Sequence, residues 1–158
     1  MRMRYRYAGL VQAGKYSAVV VDSTVYAKDG FNLPPGMNAP DVLGILLTAI
    51  VPDSWTGYNK GMYEGASQNP WPPNVNPASP QGRYFFVMRG GTVRARAALP
   101  WNRGDPLIIA NNLGQLASPA ALQLPSGTVV NLVGYAEEET EEPGDVADIV
   151  VCPSIATV

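Results

Sequence analysis

Apolar residues in this chain come in short runs, broken at close intervals by Gly, Pro, Asn or Asp, and few stretches repeat with the period of a helix. β-Branched and aromatic residues dominate the runs, which is the pattern of strands. Val19, Val20, Val21, Val25 and Tyr26 form one stretch that meets Lys28-Asp29-Gly30, and Asp-Gly tolerates the positive φ of a tight hairpin turn. Residues 84–88 and 92–97 flank Gly90-Gly91 and predict a second hairpin. In the latter stretch Arg94 and Arg96 alternate with Val93, Ala95 and Ala97, so one face is wet and the other packed. Residues 107–110, the turn Asn111-Asn112-Leu113-Gly114 and residues 115–118 predict a third hairpin; residues 129–136 and 146–157 predict two further strands. Residues 39–51 read as a short helix capped by Asp41 or as a buried strand, and Gly44, Ile45, Ile50 and Val51 favour the strand. The expected fold class is all-β, a small β-barrel or sandwich of closely spaced strands.

Two features interrupt this pattern. At the N-terminus Arg2, Arg4 and Arg6 alternate with Met3, Tyr5 and Tyr7, an extended strand with one basic and one apolar-aromatic face. It reads either as a free arm, residues 1–18, that adds to the edge of another subunit's sheet, or as an internal edge strand guarded by its arginines. The β domain then runs over residues 19–158. Within it, residues 53–82 carry Pro70, Pro72, Pro73, Pro77 and Pro80 with no sustained period, and read as an insertion loop used for function or for an interface.

The two halves share an order of parts. The first runs from residues 19–26 through Gly30, Asp41-Val42-Leu43-Gly44-Ile45-Leu46 and the insertion to residues 83–87. The second runs from residues 107–110 through Gly114, Asn131-Leu132-Val133-Gly134-Tyr135-Ala136 and an acidic loop to residues 147–151. Both place an apolar-apolar-Gly-apolar strand before the variable loop, an order that admits a duplicated β unit.

Composition narrows the chemistry. Gly and Pro number 16 and 15, and only 15% of residues are charged against a norm of about 25%. The chain has no histidine and one cysteine, which excludes His-based triads, His-containing zinc sites and intrachain disulfides on count. Cys152 falls in the apolar run Ile149-Val150-Val151-Cys152 and is expected to be a small buried hydrophobe. The net charge of -2 is unevenly laid out: residues 1–106 carry all 11 bases and six acids, residues 107–158 no base and seven acids. That polarity suits head-to-tail or subunit-to-lattice contact. A sequence pI near 5 makes nucleic acid a weak partner, and the longest apolar run, residues 42–51, is half of what a membrane-spanning helix needs. No secretory leader is expected, and the chain is expected to be made in a cytoplasm.

Two chemical constellations stand out. Asp53 and Glu64 lie among Trp55, Tyr58, Tyr63 and Trp71, and a carboxylate pair beside sugar-stacking rings is what a glycoside-cleaving site needs. The alternative is that these rings anchor the loop against its own sheet or a neighbouring subunit. The acidic run Glu137-Glu138-Glu139 with Glu141 and Glu142 could hold Ca²⁺ but lacks the alternating ligands of an EF-hand, so a solvated loop is expected. No phosphate-cradling glycine motif and no serine nucleophile elbow occurs. No catalytic, cofactor-binding or metal-binding residues are expected, and the expectation is a protein that is not an enzyme.

Gly104-Asp105-Pro106-Leu107, Gly114-Gln115-Leu116, Val133-Gly134-Tyr135-Ala136-Glu137-Glu138, Pro143-Gly144-Asp145 and Ile149-Val150-Val151 together resemble the decoration, or capsid cement, proteins of tailed bacteriophages. The likeness covers about the last 60 residues and, more loosely, residues 19–51, while the insertion departs from the family's shorter members. The resemblance implies a small β-barrel or tulip-like β fold, assembled as homotrimers on the outer surface of an icosahedral head, with the major capsid protein as partner and the virion as location. Under it, Arg2, Arg4, Tyr5, Arg6 and Tyr7 reach a neighbouring subunit or the capsid protein, and Trp55, Tyr58, Tyr63 and Trp71 supply aromatic anchors. A carbohydrate-binding or glycoside-cleaving module of a phage particle is the second expectation.

Overall fold

The computed structural model describes residues 2–50 and 79–158. It is all-β. Among the described residues ten strands follow in chain order: β1 (Arg2–Tyr7), β2 (Ala18–Val21), β3 (Gly30–Asn32), β4 (Val42–Leu46), β5 (Tyr84–Met88), β6 (Gly91–Arg96), β7 (Pro106–Ile109), β8 (Leu116–Ala117), β9 (Val129–Ala136) and β10 (Val146–Thr157). The first five close into a barrel in the order β1-β3-β2-β4-β5, and the last five form a sheet in the order β6-β10-β9-β7-β8. The parallel bridge Ala97–Leu116 brings the edges of that sheet together where the parallel pair Tyr7–Phe31 joins β1 to β3.

The chain is a duplicated unit, and the repetition extends to single hydrogen bonds. Val19 pairs with Gly44 as Leu107 pairs with Gly134, and each pairing is followed at once by a register shift. Tyr7 N donates to Arg83 O and Ala97 N to Asp145 O, both at 2.8 Å. Leu47 N donates to Phe86 O and Glu137 N to Asp148 O, both at 3.0 Å. Tyr16 and Gly104, each before the unit's second strand, both take positive φ and both donate to the carbonyl closing the fourth strand, Leu46 or Ala136. Matching strand to strand sets β1 against β6, β2 against β7, β3 against β8, β4 against β9 and β5 against β10. The insertion lies between Ile50 and Pro80, whose counterparts Thr140 and Glu142 are separated by one residue.

The interiors correspond as well. Tyr7, Ala13, Val19, Phe31, Leu43, Leu46, Ile50, Phe85 and Val87 fill the first barrel. Their counterparts, Ala97, Trp101, Leu107, Leu116, Val133, Ala136, Thr140, Ala147 and Ile149, are all buried too. The volume is distributed differently. Unit 1 packs three rings, with Tyr7 and Phe31 centroids 5.2 Å apart and Phe85 edge-on to both. Unit 2 has Ala97, Leu116 and Ala147 in those places and sets the indole of Trp101 where unit 1 has Ala13. A close-packed interior tolerates such a trade when total volume is kept. The acidic loop holds the indole: Trp101 Nε1 donates to Glu138 O at 2.8 Å, and Trp101 N to Thr140 Oγ1 at 2.9 Å.

Asn38 ties the units together from a left-handed backbone conformation (φ 56). Its N–H donates to Ile109 O and its Nδ2 to Val129 O, while its Oδ1 and its carbonyl accept from the backbone and side-chain amides of Asn131. One residue thus serves backbone groups of both β7 and β9.

Several expectations need correction. Residues 84–88 and 92–97 are not a hairpin: β5 pairs with β1 and β4, β6 with β10, and Gly90-Gly91 carries the chain from one unit to the next. Both edges of β5 are already taken inside its own barrel. The β2 strand ends at Val21, and Val25 and Tyr26 belong to the turns before Gly30. Residues 39–51 contain a strand, β4, as favoured. The arm of residues 1–18 is drawn into this chain's own barrel, because β1 satisfies its main chain on β3 and β5. Cys152 is exposed. Ala147, Ile149 and Val151 are buried, and alternation turns Cys152 outward at the start of the register shift that spans Val151 to Ser154.

The duplicated close approach at Gly44 and Gly134 makes a stability prediction. A Cβ at Gly44 would stand 2.0 Å from Met88 O, and one at Gly134 would stand 1.8 Å from Val150 O. Gly44→Ala and Gly134→Ala are each expected to destabilise by about 3 kcal/mol or more, since backbone on the next strand must move. Gly127→Ala, with open space around it and φ +88, is expected to cost only about 1 kcal/mol. Urea unfolding of the three variants checks the ranking.

Candidate functional site

β1 alternates, so its arginines stand on the outside of the barrel while Tyr7 points in. The neighbouring β5 alternates in the opposite sense to its core residues Phe85 and Val87, which leaves Tyr84 and Phe86 outside beside the arginines. The result is a ladder of guanidinium groups over rings. Arg2 lies 4.5 Å from the centroid of Phe86 and Arg4 lies 4.9 Å from that of Tyr84. Arg6 sits between Tyr26, at 4.7 Å, and Tyr84, at 4.8 Å. Register places Arg4 opposite Phe86 and Arg6 opposite Tyr84, so Arg2 and Arg4 stack on the diagonal ring and Arg6 on the ring directly across. Each such contact contributes about 0.5–1 kcal/mol at an exposed site.

Arg6 also donates to the Tyr84 hydroxyl, a bond that raises its already high pKa. The guanidinium remains charged at any pH the fold survives. Its Nε is covered without a hydrogen-bond partner, which fits a group clasped between two π faces rather than between acceptors. Tyr84 and Phe86 are exposed, as are Arg2 and Arg4. This face offers fixed cations on an apolar base. Chemically, guanidinium groups on such a base can donate to carboxylates or carbonyls, and Arg and aromatic residues are enriched at protein interfaces in general.

Among the expected contact residues, Arg2, Arg4 and Arg6 are brought together on this face, and Tyr5 is half-buried against the first barrel's core. Tyr7 is fully buried, its hydroxyl donating to Val11 O at 2.9 Å. Trp55, Tyr58, Tyr63 and Trp71, with Asp53 and Glu64, lie outside the described residues. Tyr84, Phe86 and Tyr26 join the site beyond the residues expected from the sequence. The signal for the first two was present as the alternation Tyr84-Phe85-Phe86-Val87, but Tyr26 reaches Arg6 from the β2–β3 turns, a contact no local pattern announces.

On unit 2 the same face has different chemistry. Arg94 and Arg96 are the counterparts of Arg4 and Arg6, and opposite Arg94 stands Asp148, 3.8 Å away, where unit 1 has Phe86 opposite Arg4. Below it, Asp145 accepts from the backbone amides of Glu141 and Glu142, and Glu138 accepts from Asp148 N. No group of three or more metal-ligating side chains is arranged for an ion among the described residues. Comparison with known proteins leaves the surface to speak for itself: no family model and no curated protein matches the chain.

Burial pushes the Tyr7 hydroxyl up from its ordinary 10.0 to about 12. A raised folded pKa means that the folded state keeps a proton the unfolded state has lost. Stability is therefore full below about pH 10 and falls as pH rises from there toward 12, by roughly 2 kcal/mol. Tyr7→Phe should lower stability at neutral pH through loss of the bond to Val11 yet flatten the decline between pH 10 and 12. Urea midpoints of both proteins across that range test it.

Proposed function

We propose that this chain is a structural virion protein that decorates the head of a tailed bacteriophage, binding the outer surface of the major capsid protein lattice as a homotrimer. The observation that carries the reading is the exposed Arg-aromatic ladder on the outside of the unit 1 barrel, a surface suited to gripping a protein partner. The residues behind the resemblance support it, because they occupy structural corners of unit 2. Gly104 takes the left-handed turn before β7, Gly114 sits in the β7–β8 turn against Ala18, Gly134 lies under Val150, and Gly144 turns the chain into β10. Motifs at such corners specify a backbone, so they support kinship of fold unit more directly than they support a partner.

The mechanism is mass action. A protein that binds the assembled lattice and not its dissociated subunits stabilises the lattice by RT ln(1 + [L]/Kd), and contacts repeated across a trimer add avidity. No bond need be made or broken. Catalysis has no place in this reading, and the protein would act where the capsid surface presents acidic or carbonyl-rich ground to the ladder.

Mixing the purified protein with undecorated, expanded heads and sedimenting them tests the proposal. Co-sedimentation at micromolar protein is expected, with the combined Arg2→Ala and Arg4→Ala variant bound at least tenfold more weakly. The two cation–π contacts are lost with them, so the thermal midpoint of the variant should fall by about 2–8 °C while the protein stays folded at the temperature of the assay. Absence of co-sedimentation would overturn the reading, and a glycan-binding signal that vanishes in Trp55→Ala or Trp71→Ala would put the carbohydrate module in its place.

A further inference from the structure

Duplication lets each position in one unit be compared with its counterpart in the other, and a pattern of burial emerges at the contact between them. Unit 1 presents the strip Ala18–Ile45–Met88, three residues in register across the outside of β2, β4 and β5. These side chains lie in one cluster with Val93, Ile109 and Val151 of unit 2. In that contact Val93 is 8%, Ile109 0% and Val151 2% exposed.

Their counterparts in unit 1 are Met3, Val21 and Arg89, and these are open: Met3 is 41% and Val21 49% exposed, and Arg89 is exposed as well. The other side of the contact is also duplicated. Pro106–Tyr135–Val150 is the counterpart of the Ala18–Ile45–Met88 strip, in the same register across β7, β9 and β10. Tyr135 is 42% exposed where Ile45 is fully buried. Leu122 and Leu124 cover the neighbouring Ile108 and Leu132 but not this strip. Each unit therefore leaves open the face that its partner unit buries.

The charges at the two open faces agree with a contact between them. Val151, in the buried cluster, and Leu47, partly buried against it, have Arg89 and Glu137 as counterparts, a base on the unit 1 face and an acid on the unit 2 face. More widely, residues 1–90 carry eight bases and five acids, and residues 91–158 three bases and eight acids.

We propose that a second copy of this chain docks head to tail, its Pro106–Tyr135–Val150 strip seating on Met3, Val21 and Arg89 of the first, as unit 1 already seats on unit 2. Such a contact is heterologous: it joins two different faces, and so builds a ring if its rotation closes and a filament if it does not. In a tandem array the terminal units keep the faces that inner units bury, and that is the situation of both units here. The contact gives the homotrimer proposed above its surfaces and rests on that reading for its setting, but its test needs only the purified chain.

Sedimentation velocity of the full chain over a micromolar concentration series should show association. Met3→Glu and Tyr135→Glu should each weaken it at least tenfold while leaving thermal unfolding unchanged. An equimolar mixture of the two variants is the decisive arm. One retains the unit 2 face and the other the unit 1 face, so the mixture should form a 1:1 dimer and stop there, an outcome that a self-complementary interface cannot give. Arg89→Glu should also weaken association, and adding Glu137→Arg to it should restore it, which keeps the proposal testable should either first variant fail to fold. A strict monomer at every concentration, or association untouched by Met3→Glu, Tyr135→Glu and Arg89→Glu, would overturn it. Head binding by a monomer would overturn this contact and the trimer while leaving head decoration itself standing; association without head binding would overturn decoration and leave this contact standing.

Discussion

Five strands can bring their edges together only if the sheet coils tightly, and both halves of this protein meet that constraint, unit 1 as a closed barrel and unit 2 through the bridge Ala97–Leu116. Where the fourth strand passes under the fifth, the backbones come so close that no Cβ fits, at Gly44 against Met88 and at Gly134 against Val150. Each glycine faces a residue, Val19 or Leu107, beside which the ladder shifts register. A bulge increases local twist, and increased twist is what a sheet of few strands needs to bring its edges together. The parallel contact between the first and third strands of each unit then becomes possible.

A narrow interior follows from that closure, and it explains why nine inward positions suffice and why they can be filled in two ways. In unit 1 three rings meet at the centre; in unit 2 one indole, entering from Ala13's position, does the work of several. Thr140 can replace Ile50 inside because its hydroxyl accepts the Trp101 amide, so the buried oxygen is satisfied. The frame is held by backbone geometry and the filling by total volume, which is how two units with little residue identity keep the same hydrogen bonds.

Outside the frame the two copies diverge in their surface chemistry. Arginines occupy the same outward positions of the first strand in each unit, but in unit 1 they lie on rings and in unit 2 one of them faces a carboxylate. The first arrangement keeps positive charge exposed on an apolar base; the second places it beside an opposite charge. One duplicated scaffold thus carries a basic front and an acidic back, joined through Asn38 and an apolar contact whose two halves reappear, open, at the far faces.

How much of this was legible depended on whether the cause was local. The strands of unit 2 could be read almost to the residue, since glycine and asparagine turns bracket apolar runs there and the alternation in β6 is plain. Gly90-Gly91 announced a reversal, but whether the chain turned back along β5 or crossed to a second sheet depended on β1 and β4 already holding both edges of β5. Cys152 followed its alternation and not its apolar neighbours. Tyr26 joined the Arg6 site across a turn. By itself the sequence determined an all-β chain, the places of most strands, the separation of charge and the order of parts common to both halves, because these follow from side-chain period and turn chemistry over a few residues. Only the tertiary structure decided which strands pair, that the N-terminal strand closes its own barrel, and which faces one unit buries in the other, because hydrogen-bonding edges are satisfied by whichever strands reach them, at any distance along the chain.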